Sequence, residues 1–228
     1  MLSVIIPCYN EVNTIELLVD KVLKSNNFPL QVIIIDDCSD DGTKEILEKK
    51  IKNKVYKILF NEKNYGKGYC IRKGLEICTE EIIIIQDADL EYDPKEYPKL
   101  VNPILKGYAD VVFGSRFVGS EEKRVLFFWH SVANKILTLF SNMLSDINLT
   151  DMETGYKAFK KELIKKIKLQ ENRFGFEPEF TAKISKLKPR IYEVGVSYFG
   201  RTYSEGKKIG IKDAFNAIKC IIKYNIFD

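Results

Sequence analysis

The sequence predicts an α/β fold, a Rossmann-like three-layer sandwich around a mainly parallel mixed sheet. Through the first hundred residues, short β-branched apolar runs alternate with segments whose apolar residues recur at helical spacing. The clearest run, the four isoleucines at positions 82–85, is too short for a helix and predicts a strand buried on both faces. Because helical crossovers bring the loops after parallel strands to one edge of the sheet, ligands are expected at that edge.

The individual elements follow from the same patterns. Strands are predicted around residues 3–7, 32–35, 55–60, 82–85, 110–114 and 190–198. Helices are predicted to begin near residues 15, 46, 69, 94, 126, 174 and 212. Asn10 or Asn13 can cap the first helix, Gly66 and Gly68 form the turn before the third, and Pro94 suits the start of the fourth.

Length, charge and cysteine content narrow the class of protein. With 228 residues, 45% of them hydrophobic, the chain can bury a sizeable core. A net charge of only +4, without an arginine-rich helix or zinc-ligand spacing, argues against binding to nucleic acid. Five widely spaced cysteines, an odd number, predict reduced thiols in a cytoplasmic protein. Neither a signal peptide nor a transmembrane helix is expected.

Three carboxylates follow the isoleucine strand: Asp87, Asp89 and Glu91. Asp-x-Asp ordinarily marks a solvated turn or a helix cap. At the carboxyl end of a buried strand, however, such closely spaced like charges favour a bound cation, and all-oxygen ligands suit Mg²⁺ or Mn²⁺. The ion would then be free to hold phosphates.

The loops after the first three strands have compatible chemistry. They offer aromatic, acidic and basic side chains that suit a nucleobase, ribose hydroxyls and a diphosphate: Pro7, Tyr9, Asn10, Glu11, Asp36, Asp37, Asn64 and Lys67. No G-x-G-x-x-G follows the first strand and no G-x-x-x-x-G-K-[ST] occurs, which argues against a dinucleotide site and a P-loop.

Seven segments, in order, resemble a known family: SVIIPCYNE, VIIIDDCSDDGT, NYGKG, QDADLEYDP, GSRF, TDMETGYKAF and GRTYSEGKK. The first four are similar to the nucleotide-sugar half of family 2 glycosyltransferases with the GT-A fold. The last three are similar to the polyprenyl-phosphate branch, the dolichyl-phosphate mannose and glucose synthases. The resemblance implies one GT-A domain over residues 1–228, with a nucleotide-sugar half at 1–115 and an acceptor half with amphipathic helices at 116–228.

The resemblance also implies roles for single residues. The nucleotide sugar would be bound by Pro7, Tyr9, Glu11, Asp36, Asp37, Lys67 and Asp87. The metal would be bound by Asp87, Asp89 and Glu91. Arg116, Arg201 and Lys207 match the basic residues expected to grip the acceptor phosphate. Those synthases carry a further basic residue where this chain has VLFFWH at 125–130, and Arg124 or His130 is the candidate substitute.

The implied reaction is an inverting, metal-dependent transfer of a hexose from GDP-mannose or UDP-glucose to a polyprenyl or dolichyl phosphate. A lipid phosphate is already an anion at neutral pH and needs fixed cations instead of a base. A saccharide hydroxyl would need a base, with Asp151 or Glu153 as candidate. Asp151 can instead cap a segment or tether an arginine, and Glu177 or Glu179 can contact the donor sugar. A non-catalytic nucleotide-binding module is the third hypothesis.

Two amphipathic segments, 126–145 and 212–224, are compatible either with packing on the core or with contact with a membrane. Packing on the core is the ordinary interpretation, whereas the aromatic cluster Phe127, Phe128 and Trp129 also suits a membrane interface. The lysine-rich run at 157–168 predicts a solvated helix face, and the glycine-containing loop at 200–210 predicts a lid. A lipid acceptor would require either these helices or a small membrane subunit, with the protein peripheral on the cytoplasmic face of a membrane.

Overall fold

The computed structural model describes residues 2–25, 29–120, 122–125, 127–202 and 211–228. Over these ranges the α/β prediction is confirmed, with a seven-stranded mixed sheet in the order β3-β2-β1-β4-β6-β5-β7. The strands are β1 (Leu2–Cys8), β2 (Leu30–Asp36), β3 (Lys57–Phe60), β4 (Ile82–Ile85), β5 (Val111–Ser115), β6 (Lys157–Lys160) and β7 (Ile191–Gly195). β6 runs antiparallel to both of its neighbours, and all the other pairings are parallel.

Helices cover both faces of this sheet. They are α1 (Ile15–Lys24), α2 (Thr43–Ile46), α3 (Lys67–Ile77), α4 (Tyr97–Leu105), α5 (Phe128–Ser145), α6 (Lys161–Ile164), α7 (Phe176–Lys186) and α8 (Ile211–Ile222). A π-helical turn, Leu47–Ile51, continues α2, a 3-10 turn, Pro94–Glu96, precedes α4, and a second π-helical turn, Lys223–Phe227, follows α8.

The isoleucine strand lies at the centre of the core. All four of its side chains are buried, and they alternate between two apolar clusters. Ile82 and Ile84 pack into the cluster that includes residues of α1 and α4, whereas Ile83 and Ile85 pack into the cluster that includes residues of α3 and α7. This is the two-sided burial expected of a central strand in a three-layer sandwich.

Helix α5 follows only in part the expectation that its apolar stripe packs on the core. Trp129, Ile136 and Met143 on its apolar stripe are 75%, 60% and 70% exposed, whereas Thr138 and Ser141 on the polar face are buried. The Thr138 hydroxyl on this face accepts from the backbone N–H of Met152 at 3.2 Å. The Ser141 hydroxyl is buried without a hydrogen-bond partner in the described part of the chain. Leu137 is buried, and Phe140 and Leu144 pack against the same apolar cluster. Core packing therefore holds for one side of the apolar stripe and not for the other.

The lysine-rich run also differs from its prediction. Lys157 opens β6 and is fully buried, so it does not belong to a solvated helix face. Its ammonium group donates to the backbone carbonyls of Met152 and Thr154. Lys165 and Lys166, after α6, are exposed as expected. Among the described residues, no helix is long and apolar enough to cross a membrane.

Candidate functional site

The predicted site residues gather at the carboxyl ends of β1, β2 and β4. β1 pairs with β2 on one side and with β4 on the other, so the loops after these strands are neighbours. Hydrogen bonds join the first two loops: the backbone N–H of Asn10 donates to the Ser39 hydroxyl at 2.9 Å, and that of Glu11 donates to the Thr43 hydroxyl at 2.8 Å. The convergence of these loops at one edge is thus as predicted.

Asp36 and Asp37 shape these loops. Asp37 accepts hydrogen bonds from the Asn61 amide at 2.8 Å and from the backbone N–H of Tyr65 and Gly66 at 2.9 and 2.6 Å. Burial raises the pKa of Asp36, and hydrogen bonds from Ser39 partly offset that rise. Their contacts with a base or ribose stay predictions, as do those of the half-buried Pro7 and Tyr9.

Lys67 bridges two carboxylates at the start of α3. Its Nζ lies 2.7 Å from Oδ1 of Asp87 and 3.0 Å from Oε1 of Glu177. Burial alone would lower the pKa of Lys67, but the two carboxylates raise it above its ordinary value. Gly66 precedes the lysine with φ of 104°, and a Cβ there would collide with the Asn172 carbonyl. The turn that presents Lys67 therefore requires glycine.

Arg201 closes over the other carboxylates. Its Nη2 lies 2.9 Å from Oε1 of Glu11 and 3.1 Å from Oδ2 of Asp89, and its backbone N–H donates to Glu91 at 2.6 Å. Glu91 also accepts from the Tyr198 hydroxyl at 2.9 Å. Nε of Arg201 is buried without a hydrogen-bond partner in the described part of the chain. The carboxylate oxygen of Glu91 nearest to it, Oε1, lies 3.9 Å away.

The three predicted metal ligands carry suitable oxygens but are held by protein cations. Within the described ranges, no three acidic, cysteine or histidine side chains are grouped as a ready metal site. Burial, reinforced by Glu91 and Asp87, raises the pKa of Asp89 to about 7. A divalent cation would relieve the repulsion among these carboxylates. The donor set therefore fits Mg²⁺ or Mn²⁺ once Lys67 has moved away from Asp87 and Arg201 has moved away from Asp89.

Arg116 and Asp151 form the centre of the predicted acceptor region. Both oxygens of Asp151 are engaged: Oδ2 accepts from Nε and the backbone N–H of Arg116, and Oδ1 accepts from Arg116 Nη2 and from Asn134. Burial alone would lower the pKa of Arg116, but Asp151 raises it well above its ordinary value. Of the roles weighed for Asp151, the geometry favours tethering an arginine.

The other predicted cations have different positions. Nη1 of Arg124 donates to the backbone carbonyl of Gly200 at 3.0 Å, which places Arg124 beside Arg201. His130 lies edge-on to Phe127, with ring centroids 5.5 Å apart. Arg124 is thus the better placed substitute for the missing basic residue. Lys207, together with most of the predicted lid, lies outside the described residues.

Sequence reasoning did not identify the residues that connect the two halves of the site. The Tyr198 ring lies 5.2 Å from the Arg116 guanidinium while its hydroxyl contacts Glu91. Glu193 on β7 accepts hydrogen bonds from the backbone N–H groups of Thr150 and Asp151. No motif marks these positions, because their roles depend on the pairing of β7 with a strand distant in sequence.

A groove opens beside Arg116. It has a volume of about 470 Å³ and is lined by Phe117, Lys135, Thr138, Leu139, Asn142, Asn148, Leu149 and Thr150. Phe117 and Thr150 directly adjoin Arg116 and Asp151 in sequence, and Leu139 also belongs to the exposed side of α5, at 62% exposure. The groove therefore lies between the segments that carry Arg116 and Asp151 and the side of α5 that bears Lys135 and Asn142.

Sequence comparisons identify the family. The family model described as glycosyl transferase family 2 matches residues 3–168. A dolichol-phosphate mannosyltransferase of Pyrococcus furiosus is 28% identical over 216 residues, which are 91% of this chain and 60% of that protein. An undecaprenyl-phosphate 4-deoxy-4-formamido-L-arabinose transferase of Aeromonas hydrophila is also 28% identical, over 91% of this chain and 62% of that protein. The chain thus spans about three fifths of the length of these two relatives.

A shorter relative and a solved structure are also similar to this chain. An undecaprenyl-phosphate mannosyltransferase of Micrococcus luteus is 26% identical over 90% of this chain and 86% of that protein. A glucosyl-3-phosphoglycerate synthase from Mycobacterium tuberculosis, in complex with Mn²⁺, UDP and glucosyl-3-phosphoglycerate, superposes with a TM-score of 0.77 at 18% identity, covering 99% of this chain and 80% of that chain. At this identity the likeness shows the fold alone, which is that of GT-A glycosyltransferases.

Proposed function

Because the chain belongs to glycosyl transferase family 2, we propose that it transfers a hexose from a nucleotide sugar to a polyprenyl phosphate, with inversion at the anomeric carbon. The observation that carries the proposal is the engagement of Asp151, whose two oxygens are both occupied by Arg116 and Asn134. A hydroxyl acceptor needs a free base, whereas a phosphate acceptor needs a fixed cation, and Arg116 is such a cation.

Three further features support the proposal that the acceptor is a lipid phosphate. The groove beside Arg116 combines apolar side chains, Phe117, Leu139 and Leu149, with polar ones that include Lys135, a mixture compatible with the phosphate end of a lipid chain. The guanidinium of Arg201, whose Nε makes no hydrogen bond in the described part of the chain, would supply a second positive charge for a phosphate. The relatives named above act, by their names, on dolichol phosphate or undecaprenyl phosphate.

The donor would bind at the carboxylate edge. GDP-mannose and UDP-glucose are the proposed donors, with Pro7, Tyr9 and Glu11 at the nucleoside. Asp87, Asp89 and Glu91 would hold Mg²⁺ or Mn²⁺, which would offset the charge of the departing diphosphate. Lys67 lies against Asp87 and would add its own positive charge on the diphosphate side.

Peripheral contact with the cytoplasmic face of a membrane belongs to the same proposal. α5 and α8 pack together through Leu137, Ala217 and Ile221, and both expose apolar side chains to solvent on their free sides. On α8, Phe215 is 71% exposed. The α5 sequence carries Lys135 and no acidic residue, which suits an anionic bilayer.

Transfer to lipid tests the proposal. Radiolabelled UDP-glucose, GDP-mannose and UDP-N-acetylglucosamine are each incubated with Mn²⁺ or Mg²⁺ and a short polyprenyl phosphate, an oligosaccharide or 3-phosphoglycerate. We expect metal-dependent label in the organic phase, lost in Arg116→Ala and retained in Arg190→Ala, a surface arginine paired with Asp110 away from the site. Label in the saccharide would favour a hydroxyl acceptor, and no turnover of any donor would favour a non-catalytic module.

A further inference from the structure

Two glutamates carry carboxylate oxygens that no contact within the protein satisfies. Glu177 lies in the first turn of α7, and Glu153 lies in the segment before β6. Oε2 of Glu177 and Oε1 of Glu153 are buried, and neither has a hydrogen-bond partner in the described part of the chain. A buried oxygen without a donor is costly, so the pair marks a place where a ligand supplies the donors.

Glu177 lies on the donor side of the site. Its Oε1 is 3.0 Å from Nζ of Lys67, which is itself 2.7 Å from Asp87. The side chains of Lys67 and Asp87 are 16% and 18% exposed, whereas that of Glu177 is only 4% exposed. Glu177 is therefore the most deeply buried of these three charged groups on the donor side.

Glu153 lies in the segment between the donor side of the site and the acceptor side. Two residues before it, Asp151 holds Arg116. Two residues after it, Gly155 abuts Asp87 so closely that a Cβ would collide with the carboxylate. The segment from Asp151 to Gly155 thus runs from the acceptor cation to the donor carboxylate, with Glu153 at its middle.

The unpaired oxygens suit a neutral hydrogen-bond donor better than a cation. Lys67 already supplies the positive charge between Asp87 and Glu177. The nearby ammonium group of Lys157 is engaged by backbone carbonyls. Hydroxyl groups, which both donate and accept, match a carboxyl group with or without its proton.

We propose that Glu153 and Glu177 form the hexose subsite and hydrogen-bond to hydroxyl groups of the transferred sugar. The inference rests on the proposed function and deepens it. In a direct transfer, the anomeric carbon must lie between the departing diphosphate and the attacking phosphate. The sugar ring attached to that carbon therefore occupies the space between Asp87 and Arg116, where both glutamates lie.

Paired binding measurements test the subsite. In the presence of Mn²⁺, calorimetry gives the Kd of UDP and UDP-glucose, and of GDP and GDP-mannose, for the unmodified protein, Glu153→Ala and Glu177→Gln. For the preferred pair we expect Glu153→Ala to weaken binding of the sugar nucleotide about threefold to tenfold, the effect of losing a hydrogen bond to the carboxyl group. The nucleoside diphosphate should bind as before, which also shows that the variant is folded. Glu76→Ala, on the exposed end of α3, is the matched control.

Each outcome bears on a separate claim. Weakening confined to the sugar nucleotide supports the subsite. Equal weakening of the sugar nucleotide and the diphosphate in both variants, or no weakening in either, overturns the subsite while transfer to lipid by the unmodified protein leaves the proposed function intact. Failure of the unmodified protein to bind any of the four nucleotides overturns the subsite and the proposed function together.

Discussion

Arg116 and Asp151 form a two-point ion pair, with Nε 2.6 Å from Oδ2 and Nη2 2.7 Å from Oδ1, and Asp151 is fully buried. The side chain of Arg116 is 14% exposed, so its guanidinium is fixed by the protein yet open to a ligand. A bidentate pair of this kind sets the direction of the planar guanidinium. Asp151 is thus a positioning residue for the acceptor cation.

Asp151→Asn should therefore impair acceptor binding. Replacement leaves the buried Arg116 without its counter-charge, so we expect unfolding in urea to show a loss of about 3 kcal/mol. The KM for polyprenyl phosphate should rise about tenfold or more, because Arg116 loses its fixed direction. The Kd of the nucleotide sugar should stay within a factor of about two. An unchanged acceptor KM with kcat abolished would instead assign Asp151 the role of a base.

Arg201→Ala should strengthen metal binding in the absence of substrates. The guanidinium contacts Glu11 and Asp89, and its removal leaves these carboxylates without their positive partner. We expect Mn²⁺ to bind about tenfold more tightly, as measured by the electron paramagnetic resonance signal of the free ion. Lipid glycosylation by the same variant should fall. Weaker Mn²⁺ binding would show that Arg201 does not compete with the ion, and Arg190→Ala serves as the control.

Glu153→Gln should make the substrate-free protein more stable than the unmodified protein, by a margin that grows as the pH rises. Burial, with repulsion from Glu177 and Asp151, raises the pKa of Glu153 from 4.5 to about 8, although Lys157 and Arg116 oppose this shift. The folded protein keeps a proton that the unfolded chain releases, so the free energy of unfolding declines between these two pH values. Glutamine does not ionise, so it contributes no such decline in the free energy of unfolding.

Denaturation in urea at several pH values measures this effect. The variant should match the unmodified protein near pH 4.5 and exceed it by about 1–3 kcal/mol at pH 8. A constant difference across this range would show that Glu153 is not forced to keep its proton. Greater stability together with weaker sugar-nucleotide binding is the behaviour expected of a ligand-binding carboxylate.

Phe128→Glu combined with Trp129→Glu should weaken binding to membranes. The two rings are 70% and 75% exposed at the start of α5, so neither substitution removes a core contact. Sedimentation with vesicles of phosphatidylglycerol and phosphatidylcholine should show at least about a tenfold loss, since burial of each ring is worth about 1.5–3 kcal/mol. Tyr56→Glu, an aromatic residue that is 59% exposed near the edge strand β3, is the control. Equal binding of both variants would contradict membrane contact through α5.

The fold could be predicted from sequence because its signals are local. The isoleucine run of β4 and the helical spacing of α1 specify both element type and burial, and the structure confirms them. The orientation of α5 could not be predicted in this way. An amphipathic pattern defines two faces of a helix, but which face the protein covers depends on partners elsewhere, here the hydrogen bonds from Asn134 to Asp151 and from Met152 to Thr138.

In the site, too, local features could be predicted from the sequence, whereas contacts between distant parts of the chain could not. The strand-end carboxylates and Lys67 could be placed at one edge because loops after parallel strands converge there. The pairing of Arg201 with Glu11, 190 residues apart in the chain, could not be foreseen from sequence, because it depends on the path by which the acceptor half returns to β1. The burial of Lys157 was missed because a lysine-rich run is typical of an exposed helix, whereas this run begins on a strand.

The central claim is that the acceptor is a phosphate held by Arg116. Its most direct test compares a polyprenyl phosphate with the polyprenyl alcohol of the same chain length, in detergent, with one labelled donor and Mn²⁺. We predict label transfer to the phosphate alone, at a rate that falls about a hundredfold or more in Arg116→Ala. Transfer to the alcohol at a comparable rate, unaffected by Arg116→Ala, would contradict the claim.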